Sequence, residues 1–175
     1  MTENIVTERL ILKPVSVVDA EFIYQLYNSP RFIEFIGDKN IRSVADAEEY
    51  IKNRFLPQIE KLGYGNYVIT QKDDGKKLGS VGVFEREGLD VPDIGFSLLP
   101  DYEGKGYGFE AASALLDIAF KEFGLKKISA ITSDPNLSSR KLIEKLGLTY
   151  QKKVQLPNDH EELRYYEIEL KKETP

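Results

Sequence analysis

The sequence predicts a single mixed α/β domain that extends over residues 1–175. Short segments with alternating apolar and polar residues, which is the strand pattern, are interleaved with segments that carry apolar residues at helical spacing. A glycine-rich segment, residues 104–108, joins a predicted strand to a predicted helix. The chain is long enough for one sizeable core, and no repeat or interdomain linker interrupts it. We expect six to seven strands and about four helices.

The N-terminal half is predicted to be mainly helical after one strand. Ser16 and Asp19 resemble a capping box at the start of the first helix, and Pro57 is expected to kink or shorten the last one. The predicted elements are a strand, a helix, a short helix and a longer helix, at residues 9–15, 17–27, 31–36 and 43–55.

The C-terminal half is predicted to contain most of the sheet. Residues 73–75 are a turn between two strands, and Pro100 and Gly124 end the elements before them. In the strand 93–98, successive side chains face opposite sides of the sheet, so Asp93 and Ile94 lie on different faces. The predicted strands are 66–70, 78–85, 93–98, 127–132, 149–154 and 163–170, and the predicted helices are 107–123 and 137–145.

Composition excludes several classes of function. A net charge of −5 disfavours general nucleic-acid binding, and the absence of cysteine excludes disulfides, thiolate metal sites and a cysteine nucleophile. No apolar run is long enough to span a bilayer and the N-terminus has no signal-peptide pattern, so we expect a cytoplasmic protein without a membrane partner. His160, the single histidine, lies among polar residues and is expected to be solvated, so no metal is predicted.

The glycine-rich segment predicts a binding site for a phosphate group. Glycine allows a tight turn, and the first turn of the helix that follows offers unpaired N–H groups and the positive end of a dipole. The dinucleotide fingerprint fails because Phe109 occupies the place of its third glycine, and the Walker motif fails because Gly106 follows Lys105. The alternative is a turn that only caps the helix.

Four segments resemble the GNAT superfamily of acyl-CoA-dependent N-acetyltransferases. Residues 7–12 are similar to the branch that includes ribosomal-protein alanine and serine N-acetyltransferases, and residues 93–100 are similar to the central strand of the family. Residues 104–111 resemble its pyrophosphate loop, and residues 136–148 resemble its second cofactor segment. The resemblance implies a mixed, mostly antiparallel sheet whose central strand splays from its neighbour, and acetyl-CoA as the co-substrate.

The resemblance also implies which residues hold acetyl-CoA. Backbone N–H groups of residues 104–108 would bind the pyrophosphate, and the edge of the strand 94–99 would pair with the pantetheine arm. An N–H group near Leu98 would polarise the thioester carbonyl, and Asn136 would contact the cofactor or cap its helix. The implied cofactor-binding residues are Phe96, Leu98, Leu99, Glu103, Gly104, Lys105, Gly106, Tyr107, Gly108, Asn136 and Ser139.

Two positions depart from the pattern of the family. Glu103 stands where Gln or Arg is common, and we expect its carboxylate to point to solvent because it would repel a pyrophosphate. Ile143 stands where many members have a tyrosine that protonates the departing thiolate. The proton donor is therefore open among Ser138, Ser139, another tyrosine or water.

A general base is needed because an amine is mostly protonated at neutral pH. Asp93 is the first candidate, Glu85 the second and Glu34 the third, and the alternative for each is an exposed surface carboxylate. With no cysteine to carry an acyl group, we expect direct transfer of acetyl to the amine in a ternary complex.

The acceptor is expected to be a small-molecule or peptide primary amine. The helices of residues 17–61 and the loop 155–163 would select it. A protein N-terminus, a polyamine, an amino acid and an antibiotic stay open as acceptors, and so do a monomer and a homodimer. The rival interpretations are an acyl-CoA-binding module without catalysis and a general phosphate-binding protein.

Overall fold

The computed structural model describes residues 3–157 and 159–171, which form one mixed eight-stranded sheet with helices on both faces. The strand order is β1-β2-β3-β4-β5-β6-β8-β7, and every neighbouring pair is antiparallel except β5 with β6. The strands are β1 (Ile5–Val6), β2 (Leu10–Pro14), β3 (Asn66–Gln71), β4 (Lys77–Phe84), β5 (Asp93–Leu98), β6 (Lys127–Thr132), β7 (Thr149–Val154) and β8 (Leu163–Glu169).

The helices gather in the first half of the chain and around the glycine-rich segment. They are α1 (Ala20–Tyr27), α2 (Pro30–Phe35), α3 (Val44–Tyr50), α4 (Leu56–Leu62), α5 (Tyr107–Lys121) and α6 (Leu137–Lys145). A π-helical turn, Ile51–Phe55, joins α3 to α4 without a break. Within the described residues, no helix has both the length and the apolar composition to cross a membrane.

The predicted numbers of strands and helices need correction. The structure has eight strands because Ile5–Val6 pairs with Leu12 and Ile11, and a strand of two residues carries too little alternation to be predicted. The described residues contain five helical stretches when α3, the π-helical turn and α4 are counted as one, against the approximate total of four. Pro57 does not end the long helix: it lies at the start of α4, directly after the π-helical turn, where the helical hydrogen-bond pattern is already interrupted.

Two apolar clusters occupy the two faces of the sheet. The first packs α5 against residues such as Val81, Val83 and Ile94, and the second packs α1 and α3 against the opposite face. Phe84 borders the second cluster, which follows from the alternation of side chains along β4. Residues on β5 therefore face either α5 or the helices of the N-terminal half.

The sheet opens between its two central parallel strands. β5 and β6 share a single register pair, Asp93 with Ser129, where the Ser129 N–H donates to Pro92 O at 2.8 Å. Beyond that pair the strands diverge, so the edge of β5 is not covered by a strand ladder. The opening leads directly to the segment between β5 and α5. The structure thus contains the splayed central strand that the sequence resemblance implies.

Candidate active site

The glycine-rich loop adopts a conformation that exposes its backbone N–H groups. Gly104 and Gly106 have φ angles of +73° and +83°, a region that residues with a Cβ atom rarely adopt. Gly106 is the residue that caps the N-terminus of α5. In the described part of the chain, the N–H groups of residues 105–109 find no hydrogen-bond acceptor. The loop therefore offers a row of donors at the positive end of a helix of 15 residues.

The exposed edge of β5 supplies further backbone hydrogen-bonding groups. The Leu99 N–H donates to Leu78 O in β4 at 2.8 Å. Because successive residues of a strand turn their backbone groups to opposite edges, those of Ile94, Phe96 and Leu98 face the opening toward β6. The side chains of Phe96 and Leu98 pack against the first apolar cluster and fix this edge in place.

The start of α6 forms the other side of the opening. Asn136 caps this helix, since its Oδ1 atom accepts from the Ser139 N–H at 3.4 Å and from the Ser138 hydroxyl at 3.3 Å. The Ser133 hydroxyl, between β6 and this cap, is buried and has no hydrogen-bond partner among the described residues. Buried hydroxyl groups normally have partners. The donors of the loop, the edge of β5 and this hydroxyl group fit an elongated ligand with a phosphate group and amides.

Asp93 is buried at the closed end of the opening. Its side chain is 2% exposed, and its two oxygens accept from Arg86 Nε at 2.9 Å and from Arg86 Nη2 at 3.1 Å. Burial raises the pKa of the Asp93 carboxyl, and the Arg86 guanidinium opposes that rise. Asp93 pairs in register with Phe84, so it faces the helices of the N-terminal half. Arg86 was not predicted from the sequence as the partner of Asp93.

The other two candidate bases are surface carboxylates. Glu85 follows the last residue of β4, its side chain is 52% exposed, and it lies 3.6 Å from Lys61. Its backbone N–H donates to Gln58 Oε1 at 3.2 Å, so Glu85 lies beside α4. Glu34 is exposed on α2. The structure therefore does not bring the three carboxylates together.

A cluster of three residues holds the glycine-rich loop against the edge of the sheet. Glu110, in the first turn of α5, accepts from the Thr7 hydroxyl at 2.6 Å, from the Arg9 N–H at 2.9 Å and from Arg9 Nε at 2.6 Å. Arg9 Nη1 also donates to Lys105 O at 3.1 Å, and its guanidinium lies 4.3 Å from the centre of the Tyr107 ring. Thr7 and Arg9 are part of the segment that carries the family resemblance, but no role was predicted for them.

Replacing Glu110 by alanine is expected to loosen this cluster. Burial favours the neutral acid, but hydrogen bonds from Thr7 and Arg9 outweigh it and hold the pKa of Glu110 below its usual range. A lowered pKa means that the contribution to stability is present at neutral pH and is lost as pH falls through that pKa. We expect Glu110→Ala to lower the free energy of unfolding by about 1–3 kcal/mol at pH 7.

Urea unfolding at pH 7 and at pH 3 measures this effect. Asp117→Ala, which removes an exposed ion pair with Lys121 on the same helix, is the matched control and should change stability by less than about 0.5 kcal/mol. A loss in Glu110→Ala that is as small as in the control, or that is equal at the two pH values, would contradict the assigned role.

Glu103 does not point freely into solvent, contrary to the expectation from the sequence. Its carboxylate lies 3.2 Å from Arg31 Nη1, and its side chain is 32% exposed. Lys105 is exposed, with its Nζ atom 6.0 Å from the centre of the Tyr102 ring. The negative charge of Glu103 is therefore neutralised by Arg31, a residue of α2.

Comparison with known proteins identifies the class. Residues 9–149 match the family described as the acetyltransferase (GNAT) domain, so the chain belongs to the GNAT acetyltransferases. It is similar to the uncharacterized N-acetyltransferase YnaD of Bacillus subtilis, with 25% identity over 145 residues that cover 83% of this chain and 82% of that protein. The family uses acetyl-CoA, and the chain is an N-acetyltransferase by membership.

Solved structures share the fold at low sequence identity. RimL, described as a ribosomal L7/L12 alpha-N-protein acetyltransferase in complex with coenzyme A, has a TM-score of 0.79 and 16% identity, with 96% of this chain and 98% of that chain covered. A chimera of spermidine N-acetyltransferase SpeG from Vibrio cholerae and hSSAT has a TM-score of 0.75 and 17% identity, with 93% and 96% covered. One fold thus occurs in proteins named for different acceptors.

Proposed function

We propose that this protein transfers an acetyl group from acetyl-CoA directly to a primary amine, without an acyl-enzyme. The observation that carries the proposal is the opening between β5 and β6, which leads to the unpaired N–H groups of residues 105–109. An open strand edge suits the amides of a pantetheine arm, and the N–H groups suit a pyrophosphate. Acetyl-CoA brings an activated thioester to this place, and the residues of the chain position it.

The donors of the site divide between binding and activation. The loop from Gly104 to Gly108 binds the pyrophosphate, and Asn136 keeps α6 in position on the other side of the opening. The backbone N–H of Leu98 or, nearer to Asp93 on the same edge, of Phe96 or Ile94 donates to the thioester carbonyl and stabilises the charge that develops there. The proton donor for the thiolate is Ser138, Ser139, a tyrosine or water, and Ser138 and Ser139 lie in the first turn of α6 beside the opening.

We assign the role of general base to Asp93. It lies on the face of the sheet that is turned toward α1 and α3, where an acceptor would enter from the side opposite to α5. Each carboxylate oxygen has two lone-pair sites, so the bonds from Arg86 leave room for one more proton or water. Glu85 is about half exposed and pairs with Lys61, so it is a weaker candidate.

The acceptor is a primary amine, with a protein N-terminus as the first candidate. Sequence resemblance to the ribosomal-protein branch supports that choice, and the polyamine, amino-acid and antibiotic alternatives share the same chemistry. α1 to α4 and the loop 155–163, of which residue 158 lies outside the described part of the chain, would flank the acceptor.

A comparison of acetyl-CoA with ADP tests the cofactor half of the proposal. Saturation with a ligand at a hundred times its dissociation constant raises the free energy of unfolding by about 2.7 kcal/mol. We expect acetyl-CoA to raise the melting temperature at concentrations where ADP has little effect, because ADP lacks the pantetheine arm that pairs with β5. Equal increases in melting temperature with acetyl-CoA and with ADP would favour a general phosphate-binding protein.

A further inference from the structure

Arg31 connects the two sides of the cofactor opening. It belongs to α2, yet its Nη1 atom lies 3.2 Å from Glu103, the residue that precedes the glycine-rich loop. Its Nη2 atom donates at 3.0 Å to the hydroxyl group of Ser138, in the first turn of α6. These partners are 72 and 107 positions away along the chain, so the contacts arise from tertiary structure alone.

The charges around the loop indicate that the Arg31 guanidinium group is available to bind a phosphate group. Glu103 places a negative charge next to a site that otherwise suits a phosphate group. Arg9 is occupied by Glu110 and by the loop carbonyl of Lys105. Arg31 is 43% exposed, and an arginine has five N–H donors, so it can hold a carboxylate and a phosphate oxygen at the same time.

We propose that Arg31 is a cofactor-binding residue whose guanidinium group donates to a phosphate oxygen of acyl-CoA while it neutralises Glu103. The proposal rests on the proposed function, because it assigns a partner to the phosphate groups of that ligand. In this arrangement the ligand takes the place of the Ser138 hydroxyl at Arg31 Nη2. A residue of α2 then contributes to a cofactor site that the sequence resemblance confined to residues 96–139.

The alternative is that the Arg31–Glu103 ion pair only braces the loop. The two explanations predict opposite effects of removing the Glu103 charge on the affinity for acetyl-CoA. If the pair braces the loop, removal of either partner weakens acetyl-CoA binding to a similar extent. If Arg31 binds phosphate, Arg31→Ala weakens binding, whereas Glu103→Gln strengthens it by removing a repulsive charge and releasing the guanidinium group.

Isothermal titration calorimetry with acetyl-CoA and with S-acetylpantetheine, which has no phosphate, distinguishes them. We expect Arg31→Ala to raise the Kd for acetyl-CoA about tenfold and to leave the Kd for S-acetylpantetheine unchanged. We expect Glu103→Gln to lower the Kd for acetyl-CoA, and the double variant to bind more tightly than Arg31→Ala. Arg42→Ala, which removes an exposed arginine paired with Asp38, is the matched control and should bind like the native protein.

The dependence of Kd on salt concentration is a second test of the phosphate contact of Arg31. Loss of one phosphate contact should reduce the slope of log Kd against log salt concentration in Arg31→Ala, and Arg31→Lys should retain most of that slope because it keeps the charge. Native binding of acetyl-CoA with an unchanged Kd in Arg31→Ala, or equal weakening in Glu103→Gln, would overturn this inference alone. A native protein that does not bind acetyl-CoA would overturn the proposed function and this inference together.

Discussion

Asp93→Asn is expected to lower kcat at neutral pH by about a hundredfold while the Kd for acetyl-CoA changes little. General base catalysis typically contributes a factor of about 10²–10⁴, and an amide cannot take a proton from the acceptor. Asparagine is nearly the same size as aspartate, so β5 should keep its conformation. The affinity for acetyl-CoA should therefore be retained. Steady-state kinetics with calorimetric binding of acetyl-CoA measures the two quantities separately.

The role of a base can be separated from that of a structural ion pair by the choice of acceptor. An acceptor amine of low pKa is already neutral, so it should restore much of the turnover of Asp93→Asn, and so should an increase in pH. Glu85→Gln is the control and should retain turnover close to that of the native protein, since the Glu85 side chain is 52% exposed and paired with Lys61. A defect that is equal for all acceptors at all pH values would assign Asp93 to structure alone.

Arg86→Ala is expected to cause the largest loss of stability, about 3 kcal/mol at pH 7. Removal of one partner of a buried ion pair leaves the other charge uncompensated, and Asp93 is almost fully buried. In the native protein burial already raises the pKa of Asp93 and Arg86 opposes it, so in the variant that pKa rises further. The carboxylate then costs stability above its raised pKa and ceases to do so when it is protonated.

The stability lost in Arg86→Ala should depend on pH, because protonation of Asp93 removes the unpaired charge. The difference in free energy of unfolding between the native protein and Arg86→Ala should shrink as pH falls from 7 toward 5. Urea unfolding at several pH values measures it, with Lys61→Ala as the control that breaks the exposed pair with Glu85. We expect the control to change stability by less than about 1 kcal/mol. A difference that stays constant with pH would show that Asp93 is not the group left unpaired.

Much of the fold could be predicted because strands and helices of this chain carry regular periodicity. The predicted strand 93–98 coincides with β5, and the prediction of α6 at residues 137–145 agrees with the structure. The short strand Ile5–Val6 and the π-helical turn Ile51–Phe55 could not be predicted, since two residues show no alternation and the turn depends on packing. The divergence of β5 from β6 was implied by the resemblance to the GNAT superfamily, and no local sequence pattern indicated it.

The candidate site was predictable where it consists of backbone and not where it consists of long-range side-chain contacts. Gly104 and Gly106 indicate a special backbone conformation from their positions alone. Arg31 reaches Glu103 and Glu110 reaches Arg9 across more than seventy residues, and no spacing in the sequence indicates such partners. Arg86 lies nearer to its partner along the chain: it comes two residues after Phe84, which ends β4 and pairs with Asp93.

The measurement that tests the central claim most directly is the release of free CoA thiol from acetyl-CoA, followed with a thiol-reactive dye. The protein has no cysteine, so it gives no background of its own. The acceptors are a peptide with an N-terminal alanine or serine, a peptide with an internal lysine, a polyamine and an aminoglycoside. We predict release that depends on an acceptor, with the N-terminal peptide as the best substrate. Clear binding of acetyl-CoA without release for any of these acceptors would contradict the proposed transfer and favour a binding module.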